Sequence, residues 1–458
     1  MDDKLKEECG VIGVYSKEQD VARMIYFGLY ALQHRGQESA GIAVNKEGTI
    51  NYYKEPGLVS EVFNNTKLDK LEGNLGIGHV RYSSENENLS VNAQPLVVKY
   101  KKGSIAIAHN GSIVNADSLR EILEDDGVVF QTSNDSEVMA NILARYHKDD
   151  IEKAVNRLME LIKGSYALVL LSKDKLIGVR DNLGIRPLCL GKIEDGYILA
   201  SESCALDTIG AEYIRDIEPG EMVIIDENGV KSIFNDKWRK KKLCIFEYIY
   251  LARPDSKVDG VSVYLARKEA GKLLAKEHPV DADIVVPVPD SGTSAAIGYA
   301  EESGIPYSIG LIKNRYVGRT FINPNQSDRE QGVKIKLNVL KENIEGKRVI
   351  LVDDSIVRGT TSKKIVGMLK KAGAKEVHLR ISSPPVIYPC YFGIDTPYRE
   401  ELVGANKTVE EIREMIGADS LGFLSKDGLI NSTGQTGGFC LACLDGDYPM
   451  EIPRGEID

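Results

Sequence analysis

Arg348-Val-Ile-Leu-Val-Asp-Asp-Ser-Ile-Val-Arg-Gly-Thr-Thr-Ser362 decides how the second half of this chain is read. Val349 to Val352 has the length and β-branched content of a buried parallel strand, and Ile365, Met368, Leu369 and Ala372 recur downstream at helical spacing. Asp353 and Asp354 therefore stand at a strand's carboxyl end, where open α/β sheets bind ligands. Backbone N–H groups around Gly359 to Ser362, at the start of the next helix, can hold a phosphate with help from the helix dipole. Two carboxylates repel a phosphate, so they face sugar hydroxyls or a divalent cation instead. Taken singly, Asp-Asp closes a strand and Thr-Thr-Ser caps a helix. The whole string reads as a socket for a phosphorylated ribose. It is neither a Walker loop nor a dinucleotide fingerprint.

Outward from this string, residues 239–458 alternate strand and helix. Val261 to Lys276 reads as a helix, Ile284 to Val288 as a strand, Thr293 to Glu302 as a helix, and Ile309 to Ile312 and Val377 to Ile381 as strands. That alternation implies a parallel sheet. Val286-Pro-Val-Pro-Asp-Ser-Gly-Thr293 ends a strand in a turn whose N–H groups and hydroxyls, Ser291 included, suit a pyrophosphate. Lys313 to Phe321 is basic and aromatic. Gln326 to Asn338, with Arg329, Lys334 and Lys336, is polar and poorly periodic and reads as a mobile lid. The string from Asp353 to Ser362 resembles the phosphoribosyl pyrophosphate (PRPP) loop of type I phosphoribosyltransferases. That resemblance implies PRPP and magnesium contacts at Ser291, Lys336, Asp353, Asp354, Ser355, Arg358, Gly359, Thr360 and Thr361.

The first half has a different grammar. Cys9 to Tyr15, Ala40 to Asn45, Leu75 to Tyr82, Ser104 to His109, Tyr166 to Leu171 and Leu176 to Arg180 read as short strands, while Glu137 to His147 and Ile151 to Lys163 read as helices. Such a mixture suits a layered α+β sandwich. The boundary falls near residues 235–242, with the first domain taken as 9–238. The basic cluster Trp238 to Lys242 reads as a solvated linker face.

Composition narrows the functional classes. The chain has 458 residues and a formal net charge of −10, which argues against a duplex-binding surface. No apolar run is long enough to span a bilayer, and no secretory leader precedes Cys9, so a cytoplasmic location without membrane or nucleic-acid partners is expected. Seven cysteines, an odd number, favour metal or catalytic use over a disulfide framework.

Cys9-Gly-Val-Ile-Gly-Val-Tyr15 follows eight polar residues. Cleavage after Glu8 would free an α-amino group on Cys9 with a pKa of about 8, well below the lysine value near 10.4. Such an amine can serve as base for its own thiol. A lone Cys before apolar residues otherwise reads as a small buried hydrophobe. Leu32-Gln-His-Arg-Gly-Gln-Glu-Ser-Ala-Gly-Ile42, Gly78-His-Val-Arg-Tyr-Ser83, Asn92-Ala-Gln-Pro95, His109-Asn-Gly-Ser112 and Thr132-Ser-Asn-Asp-Ser-Glu137 follow in order. Together they resemble the glutaminase domain of N-terminal-nucleophile amidotransferases. The resemblance implies a propeptide at 1–8 and Cys9 as nucleophile. Asn110 and Gly111 would form the oxyanion hole, Arg81 and Asp135 would hold glutamine's α-carboxylate and α-ammonium, and Arg35 would close or orient the mouth. His34, His79 and His109 are given structural hydrogen bonds and no base role. After Arg81 the chain runs Ser83-Ser84-Glu85-Asn86, a departure from the Arg-Tyr-Ser-Thr-x-Gly usual in these relatives.

Cys440-Leu-Ala-Cys443 leaves zinc, redox and iron–sulfur chemistry open. Both halves taken together resemble the amidophosphoribosyltransferases that carry a propeptide and a four-iron cluster. This implies a [4Fe-4S] cluster on Cys244, Cys390, Cys440 and Cys443, with Cys189 and Cys204 as packing residues. It implies an αββα glutaminase sandwich followed by a phosphoribosyltransferase parallel-sheet domain. It further implies glutamine and PRPP as substrates, Mg2+ as cofactor, purine nucleotides as inhibitors, and a homotetramer. Two alternatives are a glutamine-dependent sugar-phosphate amidotransferase with an isomerase half, and a PRPP-sensing regulatory protein. The PRPP-type loop argues against the first and the acidic balance against the second.

Overall fold

The computed structural model describes residues 9–82, 89–234, 240–314, 337–396 and 398–452. The first half is two stacked antiparallel sheets between helical layers. One sheet runs Glu212–Asp216, Cys189–Ile193, Gly196–Ala200, Gly10–Ser16, Leu75–Arg81, Ser39–Lys46 and Thr49–Pro56 across its width. The other runs Gly229–Phe234, Glu221–Asp226, Leu176–Arg180, Gly164–Leu171, Gly103–Ile113 and Leu96–Tyr100. Strands covered on both faces cannot alternate in hydropathy, and Gly10–Ser16 and Gly164–Leu171 are buried at every residue. Val11, Ile77, Ala108, Val169 and Leu199 fill the space between the sheets. Val21–Ala31 and Ser203–Thr208 cover the outer face of one sheet, Asp135–Tyr146 and Ile151–Leu161 that of the other.

The second half centres on a parallel sheet in the order Ile284–Pro287, Arg348–Asp353, Glu376–Ile381 and Ser420–Phe423. Val263–Glu277 and Thr293–Ser303 pack as a pair beside it, and Thr360–Lys371 follows its central strand. Three elements depart from the sequence reading. Val21–Ala31, rich in aromatics, is a helix because Asp20 caps it and Val21, Met24, Ile25, Gly28 and Leu29 share one buried stripe. The expected strand Ile309 to Ile312 is a hairpin arm, Leu311–Lys313, paired with Leu337–Val339 outside the main sheet. Ser420–Phe423 completes the sheet from a segment whose sequence carries no strand signal.

The expected boundary at 238 lies among residues 235–239, outside the described residues. Lys241 of the basic cluster, still partly exposed, pairs with Asp259 at 3.3 Å. Asp259 also receives a fork from Arg180 of the first half, at 2.7 and 3.1 Å, with both side chains almost fully buried. Burial alone would raise the Asp259 carboxyl, but Arg180 and Lys241 hold it below the usual carboxylate range. Its contribution is complete above the unfolded-state value near 4 and is lost as pH falls through the lower folded-state value. Asp259→Asn keeps a side chain that tolerates the left-handed backbone at φ 46° but strands the Arg180 charge. We expect a loss of about 3 kcal/mol or more, read as a lowered denaturation midpoint at neutral pH.

Candidate functional sites

Cys9 stands immediately before the strand Gly10–Ser16, and its thiol donates to the Tyr82 carbonyl at 3.7 Å, just past the end of the neighbouring strand Leu75–Arg81. Burial pushes the thiol up to about 11, only partly offset by that hydrogen bond and by Arg81. At neutral pH it is a thiol and a weak nucleophile unless a base is supplied beside it.

Asn110 and Gly111 lie on the strand Gly103–Ile113 of the facing sheet. Asn110 is fully buried, yet neither its amide nitrogen nor its oxygen has a hydrogen-bond partner among the described residues. An unpaired buried amide costs about 1–3 kcal/mol, which a visiting ligand atom would recover. Gly111 has φ +135°, and a Cβ there would lie 2.1 Å from the Ser165 carbonyl oxygen, so only glycine fits. Asp135 opens the helix Asp135–Tyr146, accepts from the Ile113 N–H at 3.1 Å and lies 3.4 Å from His109 Nδ1. Burial works against its ionisation, but His109 and the amides of Ile113 and Ser136 hold its carboxyl below the usual range. Arg81 ends the strand Leu75–Arg81, which lies beside Gly10–Ser16, and is mostly buried. The structure thus gathers Cys9, Arg81, Asn110, Gly111 and Asp135 at one end of the two sheets.

The histidines are structural. His79 Nε2 lies 3.0 Å from the His109 carbonyl, and burial drives the ring down to about 3. His34 is held between the Ala31 carbonyl and Glu202. Arg35 corrects the sequence reading, because it is not a mouth residue. Its side chain is 1% exposed, with Nε on Glu202 and Nη2 on Glu247 at 2.6 Å. Both carboxylates are themselves buried, so the guanidinium fork is committed to a junction between the two halves.

In the second half Asp353 and Asp354 are both buried at the end of Arg348–Asp353. The Asp354 N–H donates to Asp353 Oδ1 at 2.9 Å, and the Ser355 hydroxyl donates to Asp354 Oδ1 at 2.6 Å. A small open pocket is lined by Asp353, Ser355, Gly359, Thr361 and Ser362. Gly359, at φ +79°, turns the chain into the helix Thr360–Lys371, whose first N–H groups face that cavity's end of the loop. The turn holding Ser291 packs on the same edge, with the Val288 N–H on the Val352 carbonyl at 2.8 Å. Arg358 points elsewhere and pairs with Glu401 at 2.6 Å. Lys336 lies outside the described residues.

Cys244 and Cys440 sit opposite each other in the parallel pair of Leu243–Cys244 with Phe439–Cys440. Cys390 and Cys443 border the same apolar region, and all four are free thiols. Among the described residues no three His, Cys, Asp or Glu side chains converge as ligands of a single metal ion. A single zinc draws its sulfurs to about 2.3 Å from itself, whereas an iron–sulfur cluster interposes its own atoms and needs them wider apart. Cys189 and Cys204 are core residues.

Sequence reasoning missed Glu202, Glu247, Ser165, Arg186 and Arg267. Arg267 is buried, its guanidinium driven down to about 10 by burial and partly sustained by Asp354. No motif flags such residues, because each acts across a long sequence separation.

The geometry defines a glutaminase of the N-terminal-nucleophile type joined to a phosphoribosyl-transferring half. The glutamine amidotransferase domain family matches residues 79–208, and the phosphoribosyl transferase domain family matches residues 265–382. Amidophosphoribosyltransferase of Archaeoglobus fulgidus is 54% identical over 98% of this chain and all of its own length. That of Bacillus subtilis is 50% identical over 99% of this chain and 96% of its own. A solved glutamine PRPP amidotransferase from B. subtilis, complexed with ADP and GMP, superposes with a TM-score of 0.93 over 98% of this chain and 99% of that one, at 49% identity. The chain belongs to the amidophosphoribosyltransferases. It is a transferase with a glutaminase half, and neither an isomerase half nor a DNA-binding module replaces the second domain. Among the described residues no helix is long and apolar enough to cross a membrane.

Proposed function

We propose that the chain converts PRPP and glutamine to 5-phosphoribosylamine, glutamate and pyrophosphate, the first committed step of purine synthesis, with residues 1–8 as a propeptide, 9–238 as the glutaminase and 239–458 as the transferase. The buried, unpartnered Asn110 amide beside Gly111 carries the first step. With Glu8 removed, the Cys9 α-amine takes the thiol proton, and the thiolate attacks the side-chain amide carbon of glutamine. The amide oxygen becomes an oxyanion received by Asn110 Nδ2 and the Gly111 N–H. The proton returns to the leaving nitrogen, ammonia departs, and water cleaves the thioester to glutamate. Arg81 and Asp135 hold the two α-substituents of the amino acid. In the second half the helix start after Gly359 holds the 5-phosphate, and ammonia displaces pyrophosphate from C1.

The pair of buried carboxylates fits Mg2+, which takes one or two carboxylates plus substrate phosphates. Asp353 and Asp354 would hold that ion or the ribose hydroxyls, and the ion would neutralise pyrophosphate charge. Ser291, Ser355, Thr360, Thr361 and Lys336 are assigned to phosphate. Arg358, turned to Glu401, would have to leave that exposed partner to contribute. Four free cysteines that border one apolar region, Cys244, Cys390, Cys440 and Cys443, would hold a [4Fe-4S] cluster. Such a cluster would cross-link the C-terminal segment to Leu243–Cys244. Cytoplasmic location accords with seven free cysteines. Purine nucleotides are proposed as inhibitors that share the phosphoribose socket, and Phe27 and Tyr30, exposed on one helix, suit assembly into a homotetramer.

Asn110→Ala tests the glutaminase assignment. Glutamine hydrolysis is expected to fall by about 10²–10³ in kcat with glutamine KM little changed, while ammonia-dependent synthesis persists. Undiminished hydrolysis would remove Asn110 from the oxyanion hole.

A further inference from the structure

Ser39 opens the strand Ser39–Lys46 directly opposite Arg81, the last residue of the neighbouring antiparallel strand. The Glu38 N–H donates to the Arg81 carbonyl at 3.1 Å and fixes that register. Residues opposed in an antiparallel pair point to the same face, with Cβ atoms about 4.5–5.5 Å apart. The alternation along the strands tells which face: Ala40, Ile42 and Val80 pack under the helix Val21–Ala31, whereas Ala43 and Ile77 fill the space between the sheets. Ser39 and Arg81 therefore share the inter-sheet side with Cys9, two residues before Val11, and Asn110 meets them from the facing sheet, two residues after Ala108. Ser39 is 1% exposed, yet its hydroxyl has no hydrogen-bond partner among the described residues. Lys54, opposite Gly41 on the next strand, lies on the same side, and its ammonium donates to the Ala93 carbonyl. Burial and the nearby Arg81 charge lower the Lys54 ammonium from its ordinary value. A buried hydroxyl flanked by two cations makes the polar edge of an anion site.

We propose that Ser39 is a substrate-binding residue of the glutaminase, its hydroxyl donating to the α-carboxylate of glutamine beside the Arg81 fork and so selecting amides that carry that carboxylate. The proposal rests on the assignment of Arg81 to the same carboxylate. A carboxylate offers about four lone-pair sites, of which a guanidinium fork takes two. A third donor on the same side therefore finds an acceptor when glutamine is bound. Without substrate that hydroxyl has none, a desolvation cost that only the correct ligand removes. An amide lacking the carboxylate leaves the hydroxyl buried and unpaired, and sites built to hydrogen-bond a substrate group reject analogues without it for this reason. Lys54, committed to the Ala93 carbonyl, contributes positive field and no contact.

The test uses the mature full-length enzyme with glutamine and with 4-aminobutanamide, which keeps the side-chain amide and the ammonium but lacks the carboxylate. Alanine is smaller than serine, so Ser39→Ala leaves the backbone pairing of the two strands in place. It is expected to raise glutamine KM about tenfold, with kcat within about threefold and the ammonia-dependent rate unchanged. Its kcat/KM on 4-aminobutanamide is expected to match the wild type, so that preference for glutamine over that amide falls about tenfold. The melting temperature is expected to hold or rise, because a buried hydroxyl without a partner is lost. An unchanged glutamine KM would overturn the proposal. So would an equal loss on both amides, since the hydroxyl would then act on the pocket as a whole, or a lowered melting temperature with a fall in the ammonia-dependent rate. The wild type separates the two readings. Equal kcat/KM on glutamine and 4-aminobutanamide defeats the Arg81 assignment itself, whereas a preference for glutamine that Ser39→Ala retains in full defeats only the Ser39 contact.

Discussion

Cys9→Ala is expected to abolish glutamine-dependent synthesis, by roughly three orders of magnitude or more, and to leave ammonia-dependent synthesis near its original rate. The split follows from placement. Cys9 borders the antiparallel sandwich, whereas Asp353, Asp354 and their cavity stand on the parallel sheet of the other half, so ammonia supplied from solution bypasses the thiol. Assays with glutamine and with ammonium salt at matched PRPP decide it, and loss of both activities in a folded variant would mean that the sites are not separable. The same chemistry predicts a pH signature. With residue 8 still attached, a thiol near 11 is about one part in ten thousand thiolate at pH 7, and hydrolysis should climb with pH through the neutral range. A freed α-amine of about 8 would level that climb near pH 8. Hydrolysis in the unprocessed chain equal to that of the processed one would refute the amine's role.

Asp354→Asn is expected to carry the second large effect with the opposite pattern, losing synthesis with both nitrogen donors by about 10²–10³. The substitution keeps an oxygen for the Ser355 hydroxyl but removes one of the two buried charges at the strand end. It also deprives buried Arg267 of an opposing charge, so that guanidinium, already driven down to about 10, is pushed lower. Basal glutamine hydrolysis should survive, because no residue of the sandwich is altered. PRPP binding by calorimetry and synthesis with ammonium salt provide the measurement. Full ammonia-dependent activity in Asp354→Asn would remove that carboxylate from the sugar site.

Much of this was legible because both sites are written in contiguous strings. Asp353 to Ser362 spans a strand end, a turn and a helix start, and each piece has a local physical cause: β-branched burial, a left-handed glycine, free N–H groups. His109 to Ser112 behaves likewise, with the φ +135° glycine inside its own motif. Arg35 was misplaced for the converse reason. It stands in a motif beside active-site residues, but its partners Glu202 and Glu247 lie 167 and 212 residues away, and nothing local announces them.

By itself, the order of amino acids determined the two architectures and the chemistry each could host, because hydrophobic period, turn residues and short motifs act over a few positions. Tertiary structure alone decided how the halves depend on each other. The Arg180–Asp259 pair, the Arg35 junction and the contact of Gly393 with Gly111 each unite residues tens to hundreds of positions apart. Such contacts exist only after the chain has folded and burial has made an unpaired charge or a misplaced backbone costly.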